Sequence, residues 1–458
     1  MKKRSLVVVL CLVMMLLFAA CTPSTPTDTQ SSKTNEGQTQ SPETDEDKVE
    51  ISFMGWGTDA EIATFQAMID QFEDMYTDVE VEYITVADNE FDTKLQSMIG
   101  SGTSPDVFYV PIDNLMKYAA SGALYDISDY VANNDVFDVD NIWDSLIDLY
   151  RFDGLNQGSG PIYALPKDVS VFPIFYNVDM FEAANITPPT NEDPWDWDDF
   201  LDAATKLTNG TGDDKVYGTG AYSLESAVWS NGAEWIDQET LTEIQVTDPK
   251  FIEAMQWCAD LRLVHEVAPT AAESSALGDW DRYKQGKLAM VGSGTWSISD
   301  AWNNIDFEWD VMNWPVSPNT GKSEIWFGSA GIGVSAATKH AEASQNLAAF
   351  LSFNEEAQRT AYTMGQAIPM LKDMAQGDYS EFEKGPKSKD VLFYILENSA
   401  RLASQSRTFN QEWFAEFNSG SADVFEGRQT ASDYVTSIAP TLQSLLDDSI
   451  AQKLEFME

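Results

Sequence analysis

The sequence predicts an α/β protein of two domains, preceded by a signal sequence and a polar tether. Stretches with apolar residues at every second position alternate with amphipathic helical patterns, which is typical of a largely parallel sheet covered by helices. The 458-residue chain is too long for one ordinary hydrophobic core. A second strand and helix series begins after residue 177, so we expect two domains of the same class.

The amino-terminal residues predict a secreted, lipid-anchored protein. MKKR precedes an apolar run over 6–20, which is shorter than the ~20 residues of a membrane-spanning helix and fits a signal peptide over 1–20. The segment FAAC resembles the cleavage box of bacterial lipoproteins, in which the cysteine, here Cys21, receives a lipid such as palmitate. We therefore expect attachment to the outer face of the cell membrane; ordinary signal cleavage is the alternative.

Residues 21–48 predict a disordered tether. They are mostly Ser, Thr, Gln, Pro, Asp and Glu, with too few apolar side chains to offset the entropy lost on ordering. Cys258 is then the single cysteine of the folded part, so no disulfide is expected there. Its neighbours at helical spacing predict a buried thiol rather than a nucleophile.

The net charge of −47 excludes nucleic acid as a partner, because a strongly negative field repels polyanions. The same field mildly favours neutral or cationic ligands. We expect a monomer.

The first domain opens with alternating strands and helices. The strands are VEISFMGW, DVEVEYITV and DVFYVP, and helices are predicted over EIATFQAMIDQFEDMY, with Thr58 or Asp59 as its cap, and around FDTKLQSMIGSG. Ligands of such sheets bind at the carboxyl ends of strands. Trp56 and the segment 110–114 both lie at such ends.

The second domain follows a long extended run, IYALPKDVSVFPIFYN, which is suited to crossing from one domain to the next. A helix is predicted over WDWDDFLDAATKL, with Asp193 as cap and Pro194 in the first turn, and its apolar stripe is interpreted as core. KLAMVGSGTW and DVMNWPV predict strands, GSAGIGVSA leads into a helix, and the last hundred residues predict helices.

No pattern nominates a catalytic centre. His265 and His340 are far apart in sequence and lack partners at metal-ligand spacing, so we expect no metal. The chain has no G-x-S-x-G turn and no phosphate-binding loop, and no short stretch nominates the paired carboxylates of a glycosidase. We therefore expect no enzyme activity and no cofactor.

Tryptophan is abundant, with fourteen in the chain. Several lie in turn-like contexts: Trp56 in GWG, Trp229 in WSNG beside Asn231, Trp296 in GSGTW and Trp326 in IWFG. Flat aromatic faces beside fixed polar groups are typical of sugar sites, where C–H faces stack and hydroxyls are hydrogen-bonded. Packing in the core is the alternative for each ring.

At this point the chain resembles the family 1 extracellular solute-binding proteins, the sugar-binding lipoproteins of bacterial ABC importers. The resemblance is carried by the order and spacing of the segments SGTSPDVFYV with SGALYDIS, IYALPKDVSVFPIFYNVDMF, WDWDDFLDAATKLT, YKQGKLAMVGSGTW, FGSAGIGVSAATKHAEASQNLAAFLSF with the later AIP, and FEGRQTASDY.

The resemblance implies a two-lobed fold of the periplasmic-binding-protein type (type II), with a hinge between the lobes. One lobe would comprise 49–170 and 315–352, and the other 171–314 and 353–458. The crossings would then fall near 170–176 and 314–317.

The resemblance also implies a ligand site. It points to the turn after the first strand, the segment after the PDV strand, the first crossing, the glycine-rich return and a tryptophan platform in the opposite lobe. A helical aromatic used by maltodextrin-binding members lies near Trp413, and a serine stands at 329 where many members have glycine. The full expected set is Trp56, Thr58, Asp59, Asp113, Asn114, Lys167, Asp168, Trp229, Asn231, Trp296, Trp326, Gly328, Ser329 and Trp413.

The expected function is capture of a carbohydrate between the lobes and its delivery to an ABC permease in the membrane. Three alternatives remain open from the residues: a binding protein for a cationic solute or peptide, a solute sensor for a membrane kinase, and a surface glycosidase. The aromatic residues in turns favour sugar over the first alternative.

Overall fold

The computed structural model describes residues 48–134, 137–143, 146–328, 330–366 and 368–455, apart from the side chain of Asp213. The predicted signal peptide, lipidated Cys21 and the tether up to residue 47 lie outside the described residues, as does Ser329. No helix within the described ranges is long and apolar enough to cross a membrane.

Thirteen strands occur in the described part of the chain. They are β1 Val49–Gly55, β2 Val79–Thr85, β3 Val107–Pro111, β4 Arg151–Phe152, β5 Gln157–Ile162, β6 Ala164–Pro166, β7 Ser170–Val171, β8 Ile174–Asn177, β9 Met290–Gly292, β10 Trp309–Met312, β11 Ile325–Gly328, β12 Ala330–Val334 and β13 Ala400–Arg401.

The α-helices of the same described ranges begin with the long α1 and end with the longest, α17. They are α1 Asp59–Met75, α2 Asp88–Ser101, α3 Leu115–Ala120, α4 Ser128–Asn133, α5 Val178–Ala183, α6 Trp197–Leu207, α7 Leu224–Ser230, α8 Pro249–Leu263, α9 Ala271–Ala276, α10 Asp279–Lys284, α11 Ile298–Asn304, α12 Ala341–Phe353, α13 Glu355–Thr363, α14 Lys372–Met374, α15 Lys389–Tyr394, α16 Glu412–Phe425 and α17 Ala431–Glu455.

The strands form two lobes of unequal character. The first lobe is built on a five-stranded sheet of order β2-β1-β3-β12-β6, and the second on a three-stranded sheet of order β10-β8-β9. Strands β1, β2 and β3 are parallel, whereas β12 pairs antiparallel with β3 and β6. The second sheet is antiparallel throughout. The largely parallel sheet expected for the first lobe is thus mixed, because β12 returns from a distant part of the chain.

A third, small sheet of order β13-β11-β7 lies apart from both. Strand β7 pairs antiparallel with β11 through Ser170 with Gly328 and Val171 with Phe327. The extended run over 162–177 is therefore divided into three short strands, β6, β7 and β8, each in a different sheet. This run therefore leads from the five-stranded sheet, through β7, into the three-stranded sheet.

The helix starts follow local side-chain chemistry. Thr58 caps α1: its hydroxyl accepts the Glu61 N–H, and the Glu61 carboxylate accepts the Thr58 N–H at 2.9 Å. The predicted cap of α6 is wrong by three residues, because the carboxylate of Asp196, not Asp193, accepts the first free N–H groups. A carboxylate at that position satisfies donors that Asp193 does not reach.

The interior of each lobe is apolar and rich in aromatic rings. In the first lobe Phe53 of β1 packs between Phe65 and Tyr109, with all three rings buried. In the second lobe Trp235 contacts Phe251 edge to face at 5.0 Å between ring centroids. Cys258 is buried in this second core, as predicted.

Candidate ligand-binding site

A cavity of about 580 Å³ lies at the carboxyl ends of β1 and β3, beside β7 and β11. It lies where open α/β sheets bind their ligands. It is lined by Trp56, Gly57, Thr58, Glu61, Asp88, Pro111, Ile112, Asp113, Lys167, Asp168, Ser170, Trp296, Gly328 and Ala330.

Trp56 forms one wall of the cavity, and its neighbours explain the flanking glycines. Its ring stands edge to face against Phe91 at 4.6 Å and Tyr109 at 4.9 Å, so its position is fixed by packing. A Cβ atom on Gly55 would lie 2.9 Å from the Tyr109 ring, and one on Gly57 would lie 2.7 Å from the Cβ of Glu61. Glycine is therefore required at both positions by close approach.

Trp296 stands on the side of the cavity supplied by the second lobe. Its ring stacks on Trp326 at 6.0 Å with 28° between the planes, and Trp326 in turn lies 5.2 Å from Phe172. A Cβ atom on Gly294 would lie 2.0 Å from the Trp296 ring, so this indole folds back over its own turn. The stack holds Trp296 as a rigid, half-exposed platform.

A buried charge cluster forms the floor between these walls. The Lys167 ammonium lies 2.8 Å from Asp168 and 3.4 Å from Glu61, and it also faces the Phe65 and Tyr109 rings at 5.4 and 5.2 Å. Burial alone lowers the pKa of Lys167, but the two carboxylates outweigh it and raise the pKa above its usual value. Lys167 is therefore held in its charged form.

The same cluster also changes the pKa of Glu61. Burial alone raises its pKa, but the Lys167 ammonium, the Thr58 N–H and the Gln366 amide together lower it below the usual value of 4.5. Gln366 donates to Glu61 at 2.8 Å. Glu61 thus joins α1, the segment after β6 and the segment after α13.

The segment after β3 supplies the remaining acidic wall. The Asp113 carboxylate lines the cavity and accepts a hydrogen bond from the hydroxyl of Ser406. Asn114 turns away: its amide donates to Asp92 at 2.8 Å, and it is not among the lining residues.

The structure brings together half of the expected site residues. Those that line the cavity are Trp56, Thr58, Asp113, Lys167, Asp168, Trp296 and Gly328. Trp326 supports Trp296 from behind, and Asp59, the first residue of α1, is exposed beside the cavity without lining it. Ser329 lies outside the described residues.

Three expected residues lie in the interior of the second lobe instead. Trp229 is 2 % exposed and is covered by the Arg401 guanidinium at 4.7 Å. Asn231 is fully buried and donates to the Lys250 carbonyl, and Trp413 donates from its indole to Thr408 at 3.1 Å. None of the three lines the cavity.

Several lining residues escaped the sequence interpretation, chiefly Glu61, Asp88 and Ser170. The T-x-x-E pattern at 58–61 was a usable signal, because a capping box places its glutamate beside the helix start and hence beside the strand end. Asp88 and Ser170 carry no such signal.

A second cavity of about 520 Å³ is formed by the hairpin over 148–158, residues 239–242 and 402–409, and the end of α17. Its described lining mixes apolar side chains, most of them leucine, with polar and charged ones and contains no tryptophan. The first cavity, with two indole faces beside polar groups, is the better candidate for a sugar-like ligand.

Two lobes joined by short extended crossings, with a polar and aromatic cavity beside them, define a binding protein that holds a small solute. The chain matches the bacterial extracellular solute-binding protein family over residues 56–358, more than half of its length, and it belongs to that family.

Similar proteins agree with this assignment. A solved ABC substrate-binding protein from Listeria monocytogenes, in complex with cycloalternan, is 26 % identical with a TM-score of 0.77, covering 88 % of this chain and all of that one. A galactooligosaccharide-binding protein of Bacillus subtilis is 24 % identical over 60 % of this chain and 62 % of its own length. An uncharacterized lipoprotein of Streptomyces antibioticus is 26 % identical over 43 % of this chain and 38 % of its own length. The chain thus spans less than two thirds of both curated relatives.

Proposed function

We propose that the protein captures a sugar or oligosaccharide outside the cytoplasmic membrane and delivers it to the membrane subunits of an ABC importer. The observation that carries this proposal is the cavity with two fixed indole faces, Trp56 and Trp296, around charged and hydroxyl-bearing side chains. Indoles bind the C–H face of a sugar ring, while carboxylates and hydroxyls bind its edge. Membership of a solute-binding family and similarity to oligosaccharide-binding proteins support it.

The proposed cycle has no bond chemistry. Ligand binds one lobe in an open form, and closure brings the other lobe onto it because closed-state contacts stabilise the closed population. We place the first crossing at β7 and the second at β11, since these strands pair with each other between the two main sheets.

Contacts of the segment between β10 and β11 support a second crossing at β11. The Ser317 hydroxyl donates to Asn231 at 2.7 Å, and the Glu324 N–H donates to the Ser230 hydroxyl at 2.8 Å. Residues at both ends of the segment 317–324 are thus bonded to residues 230–231, so we propose a second crossing later than the expected 314–317. Helix α13 packs on α1, where Gln71 donates to Thr360 at 2.9 Å, so we assign α13 to the first lobe.

We further propose that Cys21 carries the lipid anchor and that the tether over 21–48 gives the monomeric binding domain its reach from the membrane. Mass spectrometry of the protein purified from membranes would detect a lipidated amino-terminal Cys21; Cys21→Ser should release the protein from the membrane fraction. An unmodified amino terminus at another residue would contradict the anchor.

Binding is tested by thermal unfolding of the purified protein against mono- and oligosaccharides, polyamines and short peptides. A ligand that binds the folded state alone raises the melting temperature by mass action, and intrinsic tryptophan fluorescence reports closure in the same sample. We expect one saccharide class to raise the melting temperature. A response to peptides or polyamines alone would overturn the proposal while leaving the family assignment intact.

A further inference from the structure

The cavity has an uneven balance of charge, and this balance bears on which sugars it selects. Its lining holds four carboxylates, those of Glu61, Asp88, Asp113 and Asp168, against the single ammonium of Lys167. This imbalance lies within a site that two indole faces already define, so it concerns the choice of ligand and not the existence of the site.

The one cation is already engaged. Lys167 is 7 % exposed and is held between Asp168 and Glu61, so its charge is neutralised within the protein. Asp88, in the first turn of α2, and Asp113, which accepts from Ser406, have no ion-pair partner among the described residues. These two carboxylates are available to a ligand.

Hydrogen-bond donors are scarce on the same walls. No arginine, histidine, asparagine or glutamine side chain belongs to the described lining, and the Ser170 hydroxyl is engaged by Asp168. The free side-chain donors of this lining are therefore the Thr58 hydroxyl and the two indole N–H groups. Carboxylates accept and do not donate, so a ligand rich in donors fits this surface better than one rich in acceptors. A carboxylate or phosphate on the ligand would meet repulsion without a compensating cation.

The aromatic walls favour the same charge. The faces of tryptophan rings attract cations placed within about 6 Å of the ring centroid. The net charge of the chain, −47, also increases the local concentration of cations around the protein.

We propose that this cavity selects sugars that carry a protonated amino group over neutral sugars of the same size, and excludes anionic sugars. The ammonium pairs with Asp113 and Asp88 while the ring stacks on Trp296. This inference rests on the proposed sugar-binding function and adds the charge class of the ligand.

The test compares matched ligands by titration calorimetry on the purified full-length protein in low-salt buffer at pH 7. The pairs are glucosamine with glucose and galactosamine with galactose, together with the oligomers of β-1,4-linked glucosamine and glucose. N-acetylglucosamine and its oligomers retain the nitrogen without the charge, and galacturonate supplies the anion. We expect the amino sugar to bind about two- to fivefold more tightly than its neutral counterpart, the scale of one solvent-accessible ion pair.

The advantage should disappear on N-acetylation, fall at 0.5 M NaCl, and be lost in Asp113→Asn, with Asp88→Asn as a second variant should the first fail to fold. Asp70→Asn, which removes an exposed carboxylate of α1 away from the cavity, should leave the ratio unchanged. Neutral sugars that bind as tightly as their amino counterparts would overturn the charge selection and leave sugar binding intact. Absence of binding by every saccharide would overturn both.

Discussion

Two pairs of tryptophans in this protein have opposite surroundings although all four looked like site residues in the sequence. Trp56 and Trp296 stand half-exposed on the cavity wall, with one face packed and the other open to ligand. Trp229 and Trp413 are buried in the second lobe. The difference teaches that the local sequence context, turn-like for Trp229 and helical for Trp413, does not decide exposure; what decides it is which segment of the folded chain covers the ring.

In the buried pair, Trp229 is covered by a residue far away in the chain, and Trp413 is buried within the first turn of α16. Arg401, far along the chain, covers the Trp229 ring and is itself held by Glu234 and Glu324, each at 2.7 Å. For the cavity pair, the packed faces are held by Phe91 and Tyr109 on one side and by Trp326 on the other. We expect mutations of the buried pair to lower the stability of the fold and mutations of the cavity pair to lower the affinity for ligand.

The largest effect on this comparison should come from Trp413→Ala. The ring is fully buried, so truncation leaves a large cavity and removes the hydrogen bond that the indole donates to the Thr408 hydroxyl. We expect a loss of about 3–5 kcal/mol in the free energy of unfolding, measured by urea denaturation with circular dichroism. The dissociation constant for ligand, measured on the folded fraction at low temperature, should stay within about twofold of the wild type. A selective loss of affinity with unchanged stability would show that Trp413 contacts ligand after all.

Trp296→Ala should weaken ligand binding while leaving the fold intact, the opposite of what we expect for Trp413→Ala. Its free face carries the stacking interaction, so we expect the ligand to bind about 30-fold more weakly, a cost of about 2 kcal/mol, while the protein stays folded. Titration calorimetry with the ligand found by thermal screening measures this loss. Trp309→Ala is the matched control, since this half-buried tryptophan lies on β10 outside the cavity lining. Equal losses in both variants would remove the distinction between cavity and interior rings.

The smallest effect on stability is expected from a substitution in the charge cluster beside Trp56. Glu61→Gln removes a carboxylate whose pKa is lowered in the folded state. Burial alone would raise this pKa, but Lys167, Thr58 and Gln366 together outweigh burial. Such a group binds fewer protons folded than unfolded, so its contribution is present above its ordinary pKa and is lost as pH falls below about 4.5. At pH 7 we expect the variant to lose about 1 kcal/mol of stability.

That difference should shrink as the pH is lowered from 6 to 3. Urea denaturation of both proteins across this range measures it, with Asp70→Asn as a control for an exposed carboxylate on the same helix. A constant difference at all pH values would mean that the ionised form of Glu61 does not stabilise the fold.

Much of the first lobe was predictable from local pattern. Alternation in VEISFMGW and the helical pattern capped by Thr58 or Asp59 placed β1 and α1 within two residues of their observed bounds, because both signals depend only on near neighbours. The direction of β12 and the division of 162–177 among three sheets were not predictable. They depend on pairing between segments more than about 100 residues apart.

The site divides in the same way. Strand ends, glycine-flanked tryptophans and the acidic loop after β3 could be read from the sequence, since a parallel sheet places its carboxyl ends together. The engagement of Lys167 by two carboxylates and the support of Trp296 by Trp326 required the folded chain.

The sequence by itself determined the α/β class, the strand ends at which the cavity lies and the acidic character of the protein, because these follow from periodicity, composition and chain order. Only the tertiary structure decided which aromatic rings stay open and which charges are already paired. Both depend on contacts between segments that are far apart in the chain. Burial or an ion pair of that kind cannot be predicted from the residues that are adjacent in sequence.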